Sequence, residues 1–156
     1  MPNLWSEDDF KFIENAATGR RALQLPSGTT IELGDTGIRD VSGLFIAGTV
    51  ASGRLLYRRT GNLVTITLVA LKTAQTATNL KIIDVGGVGF RPPYTKAEAY
   101  IEGGTTQQSR IAAAANGVYV QLANSAYTYT AMLEFVTSDA WPTTLPGVAD
   151  GQPIGV

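Results

Sequence analysis

The sequence predicts an all-β protein: an antiparallel β-sandwich, jelly-roll-like, forming a head behind a short N-terminal helix and a β neck. Three observations carry that expectation. The first is composition: 19 Thr and 17 Gly stand among 156 residues, and charged residues make up 16%, below the roughly 25% of an average soluble domain. Threonine suits a pleated, half-buried surface and glycine suits turns. The second is patterning: short alternating runs recur at about 8–12-residue spacing with no helical run between them. The third is punctuation: Gly61-Asn62 and Asn116-Gly117 each separate two such runs, as two-residue hairpin loops do.

Residues 1–20 read as a docking helix from Leu4 to Arg20. Ser6 is a good N-cap and opens a capping-box pattern with Asp9. Glu7, Asp8 and Asp9 lie in the first turn, where the helix dipole favours acids. Gly19 supplies a stop. Trp5, Phe10, Phe12, Ile13, Ala16 and Ala17 then fall in one arc of about 160°. A helix this short is marginal alone and needs a partner surface. That surface is either its own β-domain or another protein of an assembly, reached through Trp5, Phe10, Phe12 and Ile13.

Residues 21–48 read as a neck. Leu23 and Leu25 alternate with Ala22 and Gln24, and Ile31 and Leu33 alternate with Thr30 and Glu32. Pro26-Ser27-Gly28 is turn chemistry. Runs this short do not make an independent sheet and are expected to pair with something else.

Residues 49–137 read as the head. Strands are expected over 54–60, 63–71, 80–85, 96–102, 110–115, 118–123 and 127–136. In the last, Tyr127, Tyr129, Ala131, Leu133 and Phe135 share one face. Residues 138–156 read as a Pro-rich arm. Pro142, Pro146 and Pro153 exclude a helix or central strand there. With Trp141 as its one anchor, the arm is either a disordered end or laid over a neighbour.

The chain has no His and no Cys. That excludes a Cys/His zinc site, a thiolate nucleophile and a Ser-His-Asp triad. A net charge of −1 argues against nucleic acid as a partner, because phosphate neutralisation needs a basic surface. The acidic start, MPNLWSEDDF, lacks the basic region and apolar core of a cleavable signal. The apolar runs are too short to span a bilayer. A cytoplasmic site of synthesis, no membrane partner, no metal and no cofactor are expected.

Few residues are candidates for chemistry. Gly86-Gly87-Val88-Gly89 is glycine-rich but lacks the phosphate-loop pattern and a following helix. Asp35 with Asp40, or Glu98 with Glu102, would be a carboxylate pair for sugar hydrolysis. On one strand Glu98 and Glu102 stand about 13 Å apart, beyond the roughly 5–9.5 Å such chemistry uses. Asp35 and Asp84 are lone carboxylates, without the alternating Asp run of a calcium loop. Arg20-Arg21 and Arg58-Arg59 read as ion-pair partners rather than phosphate clamps. Tyr94, Tyr127 and Trp141 lie near turns, where an aromatic face would meet a sugar ring.

GDTGIRDV (Gly34–Val41), leading to LLYRRTGNLVTI (Leu55–Ile66), resembles the DTGWR…(V/L)RRxGxxVxL signature of minor tail proteins from phages of actinobacteria. Gly89-Phe90-Arg91-Pro92 resembles the GFRP that follows the next strands in that family. The resemblance covers roughly residues 34 to 137. Ile38 stands where the family usually has Trp, and only a helix and a neck precede the head instead of a long stalk. The resemblance implies a non-enzymatic virion surface protein: a homotrimeric receptor-binding head of the tail tip or baseplate, in contact with other virion proteins and with a host cell-wall glycan. A capsid decoration protein, seated as trimers on the major capsid protein, is the alternative. A carbohydrate-active enzyme is a third reading, disfavoured by the missing His and the carboxylate spacing.

Overall fold

The computed structural model describes residues 11–15, 20–27, 30–32, 34–84, 89–93, 97–101 and 109–151. Within them the chain is an all-β, antiparallel sandwich with a small additional sheet. One layer contains β4 (Arg39–Asp40), β5 (Val50–Thr60), β6 (Leu63–Thr73), β11 (Thr128–Val136) and β12 (Val148–Ala149), in the order β11-β6-β5-β4-β12. The other contains β7 (Ala77–Ile83), β8 (Ala97–Ile101), β9 (Ser109–Ala114) and β10 (Gly117–Ala123), in the order β7-β10-β9-β8.

Period-2 patterning puts one face of each sheet between the layers. Leu55 and Tyr57 of β5, Val64, Ile66 and Leu68 of β6, and Tyr129 and Leu133 of β11 are buried from one side. Leu80, Ile82, Ile111, Ala113, Val118 and Val120 are buried from the other, and all join one cluster. Each large buried side chain contributes about 1.5–3 kcal/mol, so this double layer carries most of the fold's stability. The alternation in β6 slips at Ala70, whose φ is 48°. Val69 and Ala70 both face out, after which Leu71 and Thr73 are buried. A bulge of this kind moves every later side chain to the opposite face.

The β5–β6 hairpin turns at Gly61-Asn62, as the sequence predicts. The β9–β10 hairpin turns one residue earlier than predicted, at Ala115-Asn116, with Gly117 already paired to Ala114. Gly117 answers to packing instead of to the turn. A Cβ there would lie 2.4 Å from Lys81 Cε and 2.6 Å from the Ile83 carbonyl oxygen.

Both crossings between layers lie at one end of the sandwich. Residues 74–76 lead from β6 to β7 and residues 124–127 from β10 to β11. The crossings are tied by Thr76 Oγ1 and Ser125 Oγ at 3.2 Å. The buried Tyr129 hydroxyl accepts from Asn124 N–H at 2.7 Å and donates to the Asn124 carbonyl at 3.1 Å.

The N-terminal region departs from the helix expectation where it is described. β1 (Lys11–Asn15) is a strand, paired with β2 (Arg20–Gln24) through Phe12↔Leu23 and Ile13↔Ala22. Adjacent aromatic and β-branched residues favour a strand, and the ladder to β2 satisfies backbone groups that a short isolated helix leaves to water. The remainder of the expected helix, with Trp5 and Phe10, lies outside the described residues. The neck runs do find a partner: β2 pairs with β3 (Thr30–Glu32) through Leu23↔Ile31. From Gly34 onward the described residues belong to the sandwich. Asp35 bridges to Thr60, β4 pairs with β5, and Phe45 bridges to Ile83.

As far as Gly151 the C-terminal arm is fastened to its own sandwich. β12 pairs with β4. Arg39 donates to the carbonyls of Pro146 at 3.1 Å and Gly147 at 2.9 Å. Asp150 N–H donates to the Ile38 carbonyl at 2.9 Å. Proline here sits outside the ladder, at places where no N–H is required.

Candidate functional site

The residues that carry the phage-protein resemblance come together at the sandwich end opposite the crossings. Arg59, the second arginine of the Arg58-Arg59 pair, is at its centre and only 1% exposed. Alternation along β5 points it inward, in line with Leu55 and Tyr57. Its guanidinium donates to four backbone carbonyls: Gly61 at 2.8 Å, Gly89 at 2.8 Å, Ala140 at 2.9 Å and Asp139 at 3.1 Å. A longer contact of 3.4 Å reaches Asn62 Oδ1. Its carbon also stands 4.9 Å from the Trp141 ring centre, a cation–π distance. A planar fork with five donors is the side chain suited to gathering carbonyls from three separate loops.

A second arginine works beside it. Arg91 donates Nε and Nη2 to the two carboxylate oxygens of Asp139, both at 3.0 Å. The same carboxylate accepts backbone N–H bonds from Gly89 at 2.9 Å and Arg91 at 3.2 Å. Burial pushes the Asp139 carboxyl up, but the Arg91 guanidinium and the two backbone N–H groups outweigh it and hold it below the usual carboxylate range. Thr137 Oγ1 donates to the Arg91 carbonyl at 2.7 Å. Phe90 packs on Tyr57 with ring centres 5.7 Å apart. Gly89 has φ +113°, and a Cβ there would fall 2.8 Å from Pro142 Cδ. GFRP is therefore a clasp: each of its first three residues meets either β5 or the start of the C-terminal arm.

The DTG segment fastens the outside of the same strand. Thr36 N–H donates to the Arg59 carbonyl and Arg59 N–H to Thr36 Oγ1, both at 2.9 Å. Arg58 forks onto Asp35 at 3.1 and 2.5 Å, and Gly37 N–H reaches the same carboxylate at 2.8 Å. Burial raises the Asp35 carboxyl, and the Arg58 and Gly37 hydrogen bonds bring it to a net lowering. Asp40 is also lowered: burial opposes, while the Ser42 and Arg54 bonds prevail. Arg54 in turn joins Asp40 at 2.9 Å and Asp150 at 2.7 Å.

Three of the carboxylates weighed for chemistry have a cation. Asp35 faces Arg58, Asp40 faces Arg54, and Asp84 pairs with Lys81. Asp35 and Asp40, held as anions, make poor proton donors near neutral pH. Glu98 is in β8, opposite Ala112, and Glu102 lies outside the described residues, as do Gly86, Gly87 and Val88.

The aromatic candidates separate in the same way. Trp141 is buried under Arg59 and serves as the arm's anchor, not as a platform for ligand. Tyr127 is half-buried against the core. Tyr94 lies outside the described residues. Phe12 and Ile13 occupy β1, and Trp5 and Phe10 lie outside the described residues. Sequence reasoning missed Asp139, whose only signal is indirect: an arginine in a charge-poor chain needs an anion to face.

A different surface carries exposed apolar side chains, interleaved with Thr65, Thr67 and Glu134. The outer face of β6 and β11 carries Leu63, Val69, Met132 and Val136, with Met132 58% and Val136 62% exposed. Register places Val136 beside Leu63 and Met132 beside Thr67. β11 is the last strand of its sheet.

No protein family, curated protein or solved structure matches the chain.

Proposed function

We propose that the protein is a non-enzymatic structural protein of a phage virion, a homotrimeric surface head of the tail tip or baseplate that contacts the host receptor. One observation supports this reading above the rest. The residues that resemble the tail-protein signature, spread between Asp35 and Arg91, gather into a single clasp that stiffens one end of a β-sandwich. A motif whose side chains are spent on backbone carbonyls and ion pairs serves architecture, and architecture is what a virion head requires. The exposed Leu63, Val69, Met132 and Val136 on the outer face of β6 and β11 give the subunit a side to bury against copies of itself.

The test is the composition of purified particles of the phage that encodes the chain. Peptides of this protein should be found in them at a few trimers per particle. Hundreds of copies would move the reading to capsid decoration. Absence from the particle would end it.

A further inference from the structure

The outer face of the four-stranded sheet holds an open hollow of about 230 Å³, lined by Asn79, Ala112, Ala114, Asn116, Tyr119 and Gln121. The strand register builds it. Tyr119 and Gln121 are two apart on β10, so they stand on one face. Asn79 of β7 is opposite Gln121, and Ala112 of β9 is opposite Tyr119. Two alanine methyl groups therefore make the floor, and longer polar side chains make the walls.

The walls are held in place. Tyr119 O–H donates to Asn116 Oδ1 at 3.0 Å, and Gln121 Nε2 donates to Asn79 Oδ1 at 3.3 Å. Both asparagines thereby use their oxygens. Among the described residues, neither side-chain NH₂ has an acceptor, so each keeps two donors for a ligand. Gln121 keeps its carbonyl oxygen as an acceptor. Among the described residues no charged side chain lines the hollow itself, while Lys81 and Arg110 stand beside it, opposite Tyr119 and Gln121 in the register.

We propose that this hollow binds one unit of a neutral saccharide. Vicinal hydroxyls are donors and acceptors at once, and side-chain amides are the groups that answer both. The half-exposed Tyr119 ring offers a face for the apolar side of a sugar ring. The size admits a single sugar unit and not an extended ligand, since sites for larger ligands run from about 300 Å³ upward. The amide, phenol and methyl groups of the lining are those that meet the hydroxyls and apolar face of a neutral sugar. The inference rests on the receptor-binding reading above, for which it names the ligand class and the place.

The test is a titration of the full-length protein, followed by amide NMR, with methyl glycosides of glucose, galactose, mannose, rhamnose and N-acetylglucosamine, and with glucuronate. A ligand this small is held with a Kd of about 1 mM. At least one neutral probe should shift the resonances of Asn79, Ala112, Tyr119 and Gln121 saturably. Tyr119→Ala and Gln121→Ala should each weaken binding about tenfold or more. Leu44→Ala, at an exposed position between β4 and β5, should leave it unchanged. Tyr119→Phe keeps the ring and covers the case in which Tyr119→Ala fails to fold; it should bind more weakly than the parent. No shift with any neutral probe, shifts that survive both Tyr119→Ala and Gln121→Ala, or tighter binding of glucuronate would each overturn the inference. A chain found in the virion that binds no sugar here refutes this site alone. A chain that binds sugar here but is missing from the virion refutes the virion reading alone.

Discussion

Replacing Arg59 by alanine removes the partner of four carbonyls at once, the buried one of Gly89 and the part-buried ones of Gly61, Asp139 and Ala140. A buried acceptor left without a donor costs about 1–3 kcal/mol. Water entering the vacated volume relieves some of the four, since the clasp lies at an end of the sandwich. If half remain dry, the loss is about 2–6 kcal/mol. The lost contact with Trp141 adds about 1–2 kcal/mol at a desolvated cation–π site. A total of about 5 kcal/mol is a large share of the roughly 5–15 kcal/mol that stabilises a domain. It should lower Tm by about 10–20 °C for a chain of this size. Arg59→Lys keeps the charge but replaces a planar fork by a single ammonium, which cannot reach acceptors on three loops, so most of the loss should persist. Urea unfolding followed by far-UV circular dichroism measures the difference, and Trp141 fluorescence, read in a Trp5→Phe background, should report the clasp itself. A loss below about 1 kcal/mol for Arg59→Ala, or parental stability for Arg59→Lys, would refute the reasoning.

Three further outcomes follow from the same geometry. Asp139→Asn should destabilise by about 1.5–3 kcal/mol, the value of bonds to a charged acceptor, and should speed hydrogen exchange and proteolysis of residues 138–151. Because Asp35, Asp40 and Asp139 are lowered in the fold, their stabilisation is complete above the unfolded value near 4 and is lost as pH falls through the lower folded values. Unfolding midpoints should therefore fall steeply below about pH 4, and Asp139→Asn should flatten that slope. Tyr129→Phe, which deletes both bonds to Asn124, should cost about 1–2 kcal/mol by urea denaturation without changing the spectrum of the native state.

The sandwich was legible because its signals are local. Alternation in β5, β6 and β11 placed the core faces, and Gly61-Asn62 marked its hairpin correctly. Where two rules competed, the tertiary one prevailed. Asn116-Gly117 looked like a turn, yet Gly117 is needed as a strand residue against Lys81. Phe12 and Ile13 fit one face of a helix, but they also suit a strand, and β2 supplied the ladder. The clasp was half legible. The arginines and glycine stood out as a motif, and Arg58 read correctly as an ion-pair partner. Arg59 has the same type and neighbourhood but points inward, so it gathers carbonyls instead. Trp141 was legible as the arm's anchor, but Asp139 was hidden for a simple reason: it lies 80 residues from Arg59 along the chain, and only the return of β11 brings it beside Arg59 and Gly89. The prolines of the arm excluded a central strand but said nothing of an edge pairing with β4.

The central functional claim is tested most directly by locating the protein on intact particles with a labelled antibody and electron microscopy. Label confined to the tail tip, at a stoichiometry divisible by three, is the result predicted. Label spread over the capsid, or particles that carry none, would contradict it.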